Sequence, residues 1–245
     1  MFIVMPFFAF IYLYVWSALV KSVLVVAASS FHWFWIIDDK QPHERTYARA
    51  CGKLSGTVFE ISRAYMFFWP EYEGKSSWEK GFTDNKKGCD ANLTSLDFQL
   101  LWPSMEPAYT MGIRPGFINV SLYPGPTREV NAASMIDFIL RQRMVAGDQR
   151  GRFDETLGLF YELHAAVPSY LDKGRVALYW TDAEAVEQVI IECVFIQDVE
   201  LYRCDQKWVN DGIGSTVDIY YSPEMIKEWK SIKKDVDRFI TEHRK

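Results

Sequence analysis

Cys51, Cys89, Cys193 and Cys204 are the residues whose type and spacing could do covalent chemistry. None belongs to a C-x-x-C pair, and His43, His164 and His243 are too scattered to complete a zinc-ligand spacing. What remains is disulfide formation, or burial as free thiols in a cytosolic domain. Four cysteines allow three pairings. Residues 186–196 and 201–204 read as strands flanking a polar turn. A loop over residues 197–200 sets Cys193 directly opposite Cys204, whereas a two-residue loop makes them diagonal neighbours. On chain-entropy grounds such a bridge is worth ~3 kcal/mol and a Cys51–Cys89 bridge ~4 kcal/mol.

Acid–base chemistry finds weaker footing. His164 ends an apolar run beside Glu162 and could act as a base, though a core or surface histidine fits the same pattern. Asp154, Glu155, Asp182 and Glu184 sit beside turns, where solvated faces are the usual explanation. The chain carries no G-x-S-x-G, H-E-x-x-H, P-loop or G-x-G-x-x-G pattern, and Gly212-Ile213-Gly214 reads as a turn. We therefore expect a non-enzyme and assign no catalytic, cofactor-binding or metal-ligating residue. Two glycosylation acceptor patterns, at Asn92 and Asn119, are short enough to arise by chance.

Recognition chemistry has a better candidate in residues 67–78, FFWPEYEGKSSW. Aromatic side chains with acidic neighbours in a loop-like stretch suit a protein partner, which marks Trp69, Glu71, Tyr72, Glu73 and Trp78 as candidate contacts. The competing expectation is that Trp69 and Trp78 plug the edge of a sheet.

The elements that must carry these residues are mostly strands. Runs at 56–61, 65–69, 96–102, 117–123, 157–164 and 176–180 mix β-branched and aromatic residues between Gly, Pro, Asp or Asn. Leu96, Phe98, Leu100 and Trp102 share one face of a run, as do Val217, Ile219 and Tyr221. This predicts an antiparallel sheet with one buried face. Two helices are expected. One covers 131–145, with Met135, Phe138, Ile139 and Met144 as its stripe. The other begins with Ser222 as cap and Pro223 in its first turn, and carries Ile226, Trp229, Ile232, Val236, Phe239 and Ile240 at helical spacing. The second helix should pack on the sheet, anchored by Trp229. The class is therefore α+β, one domain over 51–245 behind a polar linker at 38–50.

Residues 1–37 contain one charged side chain, Lys21, and exceed the ~20 apolar residues a span requires. A single span near 18–37 leaves Lys21 at the inner edge and places Phe31, Trp33, Phe34 and Trp35 at the outer interface. Two spans would need a tight turn at Lys21-Ser22, which has no turn residue. A cleaved signal peptide would use Val26-Ala27-Ala28, without a basic region ahead of it. The positive-inside rule then puts the domain outside the cytoplasm, in the periplasm of a bacterial inner-membrane protein, where paired cysteines fit. Net charge is −5 with no basic run, which argues against a nucleic-acid partner.

Three segments, residues 58–74 (VFEISRAYMFFWPEYEG), 88–107 (GCDANLTSLDFQLLWPSMEP) and 218–240 (DIYYSPEMIKEWKSIKKDVDRFI), follow the apolar leader in order. Together they resemble the membrane-anchored or periplasmic immunity-type proteins encoded beside bacterial type VI secretion effectors. The resemblance implies a protein partner, a secreted toxin encoded nearby, which this chain would bind and neutralise in the periplasm. The alternatives are a structural or assembly subunit of an envelope complex, and an envelope hydrolase using His164.

Overall fold

The computed structural model describes residues 49–66, 68–76, 78–108, 114–125, 132–143, 152–165, 174–182, 184–196 and 201–245. The chain divides into two units, Met1–Thr46 and Tyr47–Lys245. The expected membrane segment at 1–37 lies outside the described residues, as does the expected linker up to residue 48. Among the described residues no helix is long and apolar enough to cross a membrane.

The body opens with a hairpin of β1 (Arg49–Leu54) and β2 (Thr57–Ser62). Its two-residue turn places Ser55 and Gly56 at φ 48° and 82°, the mirror-image turn that matches the twist of paired strands. A second sheet follows, built from β3 (Glu71–Tyr72), β4 (Leu93–Leu101), β5 (Glu106–Pro107), β6 (Phe117–Pro124), β7 (Arg152–Asp154), β8 (Leu159–Ala165), β9 (Gly174–Trp180), β10 (Ile190–Ile196), β11 (Leu201–Asn210) and β12 (Ser215–Tyr221). These ten described strands pair antiparallel in the order β3-β4-β6-β12-β11-β10-β9-β8-β7, with β5 on β4. The fold is mostly antiparallel sheet with a C-terminal helix packed on it.

Alternation sorts the side chains into two faces. Leu96, Phe98 and Leu100 of β4 register with Ile118, Val120 and Leu122 of β6, and these with Val217 and Ile219 of β12. All are buried on one face. Over them lies α2 (Trp229–Glu242), presenting Trp229, Ile232, Val236, Phe239 and Ile240 to the same core. Three indoles lock the helix in place. Trp229 Nε1 donates to the Leu157 carbonyl at 2.9 Å, Trp102 Nε1 to Asp235 at 3.1 Å and Trp208 Nε1 to Asp237 at 3.0 Å. Asp237 also accepts from Asn210 at 2.8 Å and pairs with Lys233, itself buried. A buried lysine is tolerable only with such a partner.

The Cys193–Cys204 and Cys51–Cys89 disulfides are both formed. Ile196 pairs with Leu201, leaving residues 197–200 between the strands, and Cys193 faces Cys204 across them. Both of these cysteines are buried.

Three expectations need correction. The sheet is not covered on one face alone. On the second face α1 (Ala132–Gln142) packs Ile136 against Val176, Leu178, Trp180, Ile190 and Val194. That face is apolar along β9 and β10, and the helix covers it there. The strand expected at 65–69 does not form at its described residues: Arg63–Tyr65 form a 3-10 turn, opened by Ser62 Oγ accepting from Ala64 N at 3.3 Å. This turn carries the chain off the hairpin and packs Tyr65 edge-on to Phe239, 4.9 Å between centroids. The C-terminal helix is not α-helical from Pro223. Residues Pro223–Glu228 wind as a 3-10 helix, where the Ser222 carbonyl, not its side chain, accepts from Met225 N at 2.9 Å. The tighter winding lets Met225 turn inward, where its sulfur accepts from Gly116 N at 3.2 Å.

Candidate protein-binding site

Between β2 and β4 the chain makes an excursion of some thirty residues that contributes little to the core, anchored at both ends. At its exit the Cys51–Cys89 bridge ties the end of the excursion to β1. Midway, β3 pairs with β4 as the sheet's edge, and Tyr72 Oη donates to the Cys51 carbonyl at 2.8 Å. Glu73 N donates to the Asn92 carbonyl at 3.0 Å, while Asn92 Nδ2 returns a bond to Glu73 at 2.9 Å. Asn85 then clamps the tip, accepting from Lys75 N at 3.0 Å and donating to the Lys75 carbonyl at 2.7 Å. Gly74 is required here: at φ 130°, a Cβ would sit 2.5 Å from Asn85 Oδ1. Ser76 N donates to Glu79 at 2.6 Å, a bond that lowers the Glu79 pKa.

A backbone so tied holds large apolar side chains in water. Phe68 is 63% exposed, Trp69 76%, Trp78 94% and Phe82 40%, a concentration found nowhere else among the described residues. Trp69 and Trp78 do not plug the sheet's edge. Trp69 is held by the Arg63 guanidinium, 3.2 Å from the indole centroid, a stacking worth about 0.5–1 kcal/mol at an exposed site. Partial burial lowers the Arg63 pKa, an effect the Tyr72 hydroxyl opposes. An open pocket of about 720 Å3 lies within the excursion, its wall including Trp69, Glu71, Tyr72, Phe68, Phe82 and Lys87. Of the five sequence-assigned contacts, Trp69, Glu71 and Tyr72 line this pocket. Glu73 points to Asn92 instead, and Trp78 stands outside it in solvent. Phe82, which no sequence argument singled out, completes the apolar wall.

The residues considered for acid–base chemistry are placed elsewhere. Asp154 Oδ1 accepts from the backbone of Thr156 and Leu157 at 2.8 and 3.0 Å, and Asp182 Oδ1 from Glu184 N at 3.0 Å. Both carboxylates are turn caps. Glu155 and Glu184 are exposed. The His164 side chain lies outside the described residues. Among the described residues no cluster of His, Cys, Asp and Glu is arranged to hold a metal. Asn119 cannot accept a glycan in the folded chain, being 5% exposed on β6 and bonded to Gln99.

No protein-family model matches the chain. No curated protein matches it either. Two solved structures are similar to it. An immunity protein of the Stenotrophomonas maltophilia type IV secretion system superposes with a TM-score of 0.52 at 16% identity, over 81% of this chain and 94% of that one. The iron-regulated outer membrane lipoprotein FrpD of Neisseria meningitidis gives 0.44 at 10% identity, over 80% and 92%. The first likeness establishes a common fold for the body of the chain.

Proposed function

We propose that this chain is a binding protein that captures a toxic secreted effector and neutralises it by complex formation, without turnover. The observation that carries the reading is the tethered aromatic excursion. Apolar surface of that size is costly to expose unless something covers it, and rigid aromatic anchors are what protein interfaces use for most of their energy. The fold shared with a secretion-system immunity protein supports the same role, as does the resemblance of residues 58–74, 88–107 and 218–240.

The proposal extends to location. Two disulfides form readily in an oxidising compartment, which supports the periplasm. Residues 1–37 are apolar enough to hold the body at the bacterial inner membrane as a single-pass anchor. Tethering would concentrate the inhibitor where an effector arrives, and a net charge of −5 would speed capture of a basic partner. The resemblance names type VI effectors and the structural neighbour comes from a type IV system, so the proposal concerns secreted effectors without choosing between the two.

The test is protection. Cells that direct the neighbouring-gene toxin to their own periplasm should survive when they also make this chain. They should die when they make the Trp69→Ala/Trp78→Ala form at equal abundance. Survival with the double variant, or death with the natural chain, refutes the reading.

A further inference from the structure

The second face of the sheet, beyond the part that α1 covers, is built of polar and charged residues. Alternation and register place Asp97 and Gln99 of β4 beside Ser121 and Asn119 of β6, then Asp218 and Tyr220 of β12, then Lys207 and Asp205 of β11. Glu192 of β10 continues the row. Cations answer most of these carboxylates. Arg143 grips Glu192 with its Nε at 2.7 Å, Arg203 pairs with Asp205 at 3.1 Å, and Lys207 with Asp218 at 2.9 Å.

Asp97 is left over. Among the described residues, four carboxylates on these strands face three cations. The donors to Asp97 are the hydroxyls of Ser95, at 2.7 Å, and Ser121. Two further acceptors beside it are buried without a donor. Gln99, 9% exposed, spends its Nε2 on Asn119 and leaves Oε1 unbonded, and Asp218 Oδ1 is unbonded while its other oxygen holds Lys207. Buried acceptors without donors cost free energy, and among the described residues the unbonded acceptors on these strands, Gln99 Oε1, Asp218 Oδ1 and Asp205 Oδ1, outnumber the unbonded donor, Arg203 Nε, with one negative charge in excess. The missing complement is a cation with several N–H groups. Burial raises the Asp218 pKa against the pull of Lys207, in keeping with a site short of positive charge.

We infer that Asp97, Gln99 and Asp218 form a socket for an arginine side chain of a protein partner. A guanidinium presents five donors in a planar fork, which serves acceptors on separate strands better than a compact ammonium. Tyr123 and Tyr220 lie on the same face, with the Arg203 guanidinium 5.7 Å from the Tyr220 ring centroid. The socket adds an electrostatic contact to the aromatic one, and Ser95, which donates to Asp97, pairs with Glu71 of the excursion.

The experiment uses argininamide as probe and citrulline amide as its uncharged twin, titrated into the isotope-labelled protein and followed by NMR. The expected result is a saturable shift of the Gln99 side-chain amide and the Asp97 and Ser121 backbone amides with argininamide alone. Asp97→Asn should weaken it about tenfold or more, the value of one charge-assisted contact. Should that variant fold poorly, Gln99→Leu must weaken binding in a protein whose spectrum is otherwise unchanged. No saturable shift at these positions, an equal response to citrulline amide, or an unaltered response in both variants overturns the inference. A lack of shift together with lower stability of Asp97→Asn assigns the socket to a cation of this chain itself, which also overturns it.

Discussion

At the scale of single residues, the least comfortable group is Asp205. Burial pushes its pKa up to about 6, against the attraction of Arg203, because neighbouring Asp218 and Glu192 add to the penalty. An acid whose folded pKa lies above its unfolded value binds more protons when folded, so its contribution favours folding at low pH and is lost as pH rises through about 6. Between about pH 4 and 6 this group alone should make the chain more stable as pH falls, by up to about 3 kcal/mol. Asp205→Asn should remove that component. Urea midpoints measured across this range should differ between the two proteins most at neutral pH, with the variant equal or more stable there. A variant that loses stability at neutral pH and keeps the natural pH slope would show that the ion pair with Arg203 outweighs burial. Residues were also where sequence reading reached least far. The aromatic cluster was legible from composition, because so many large side chains in a loop-like stretch have few buried places to go. Phe82 was not, since the turn between Asn85 and Lys75 that brings it to the pocket is made by one amide clamp. Nor was the polar face, which appears only when five strands align.

At the scale of elements, α2 is held by three indole hydrogen bonds besides its apolar stripe. Trp229 is 3% exposed and fills the centre of the helix–sheet contact. Trp229→Ala should cost about 3–5 kcal/mol, and Trp229→Phe about 1–2 kcal/mol for the lost bond to the Leu157 carbonyl. Chemical denaturation checks the pair, and equal losses in both would show that packing contributes nothing beyond the hydrogen bond. Gly74→Ala belongs to the same scale, since it strains the excursion and leaves the sheet alone. We expect faster amide exchange confined to residues 71–87 with the global midpoint nearly unchanged. A general loss of protection would show that the excursion supports the core. The alternating strands and the helical stripe at residues 226–240 were readable because one solvated face enforces each period. The second cover was missed although its signal is present. Residues 176–180 and 190–196 are almost continuously apolar, which is the pattern of strands buried on both sides. The 3-10 segments escaped for a different reason: i to i+3 bonding leaves no period distinct from that of an α-helix turn.

At the scale of the whole molecule, two disulfides with different surroundings divide the labour. Cys193 and Cys204 are sealed in the core at 2% and 0% exposure, whereas Cys89 is exposed. Access governs thiol attack, so mild reductant should open Cys51–Cys89 first and leave Cys193–Cys204 until the sheet unfolds. Mass spectrometry after differential alkylation checks the order, and simultaneous loss would contradict the buried placement. Opening the first bridge should lower stability by about 4 kcal/mol on chain-entropy grounds and loosen the excursion with it.

We propose that a folded, disulfide-clamped body meets its partner through the excursion at residues 68–87. Calorimetric titration of the oxidised protein with the proposed effector, taken from the neighbouring gene, is the test. The expected result is a one-to-one complex that the double Trp69→Ala/Trp78→Ala variant weakens more than a hundredfold, two anchors at about 2 kcal/mol or more each, while its denaturation midpoint stays close to that of the natural chain. An undiminished affinity in that variant, or no complex with the natural protein, would contradict it.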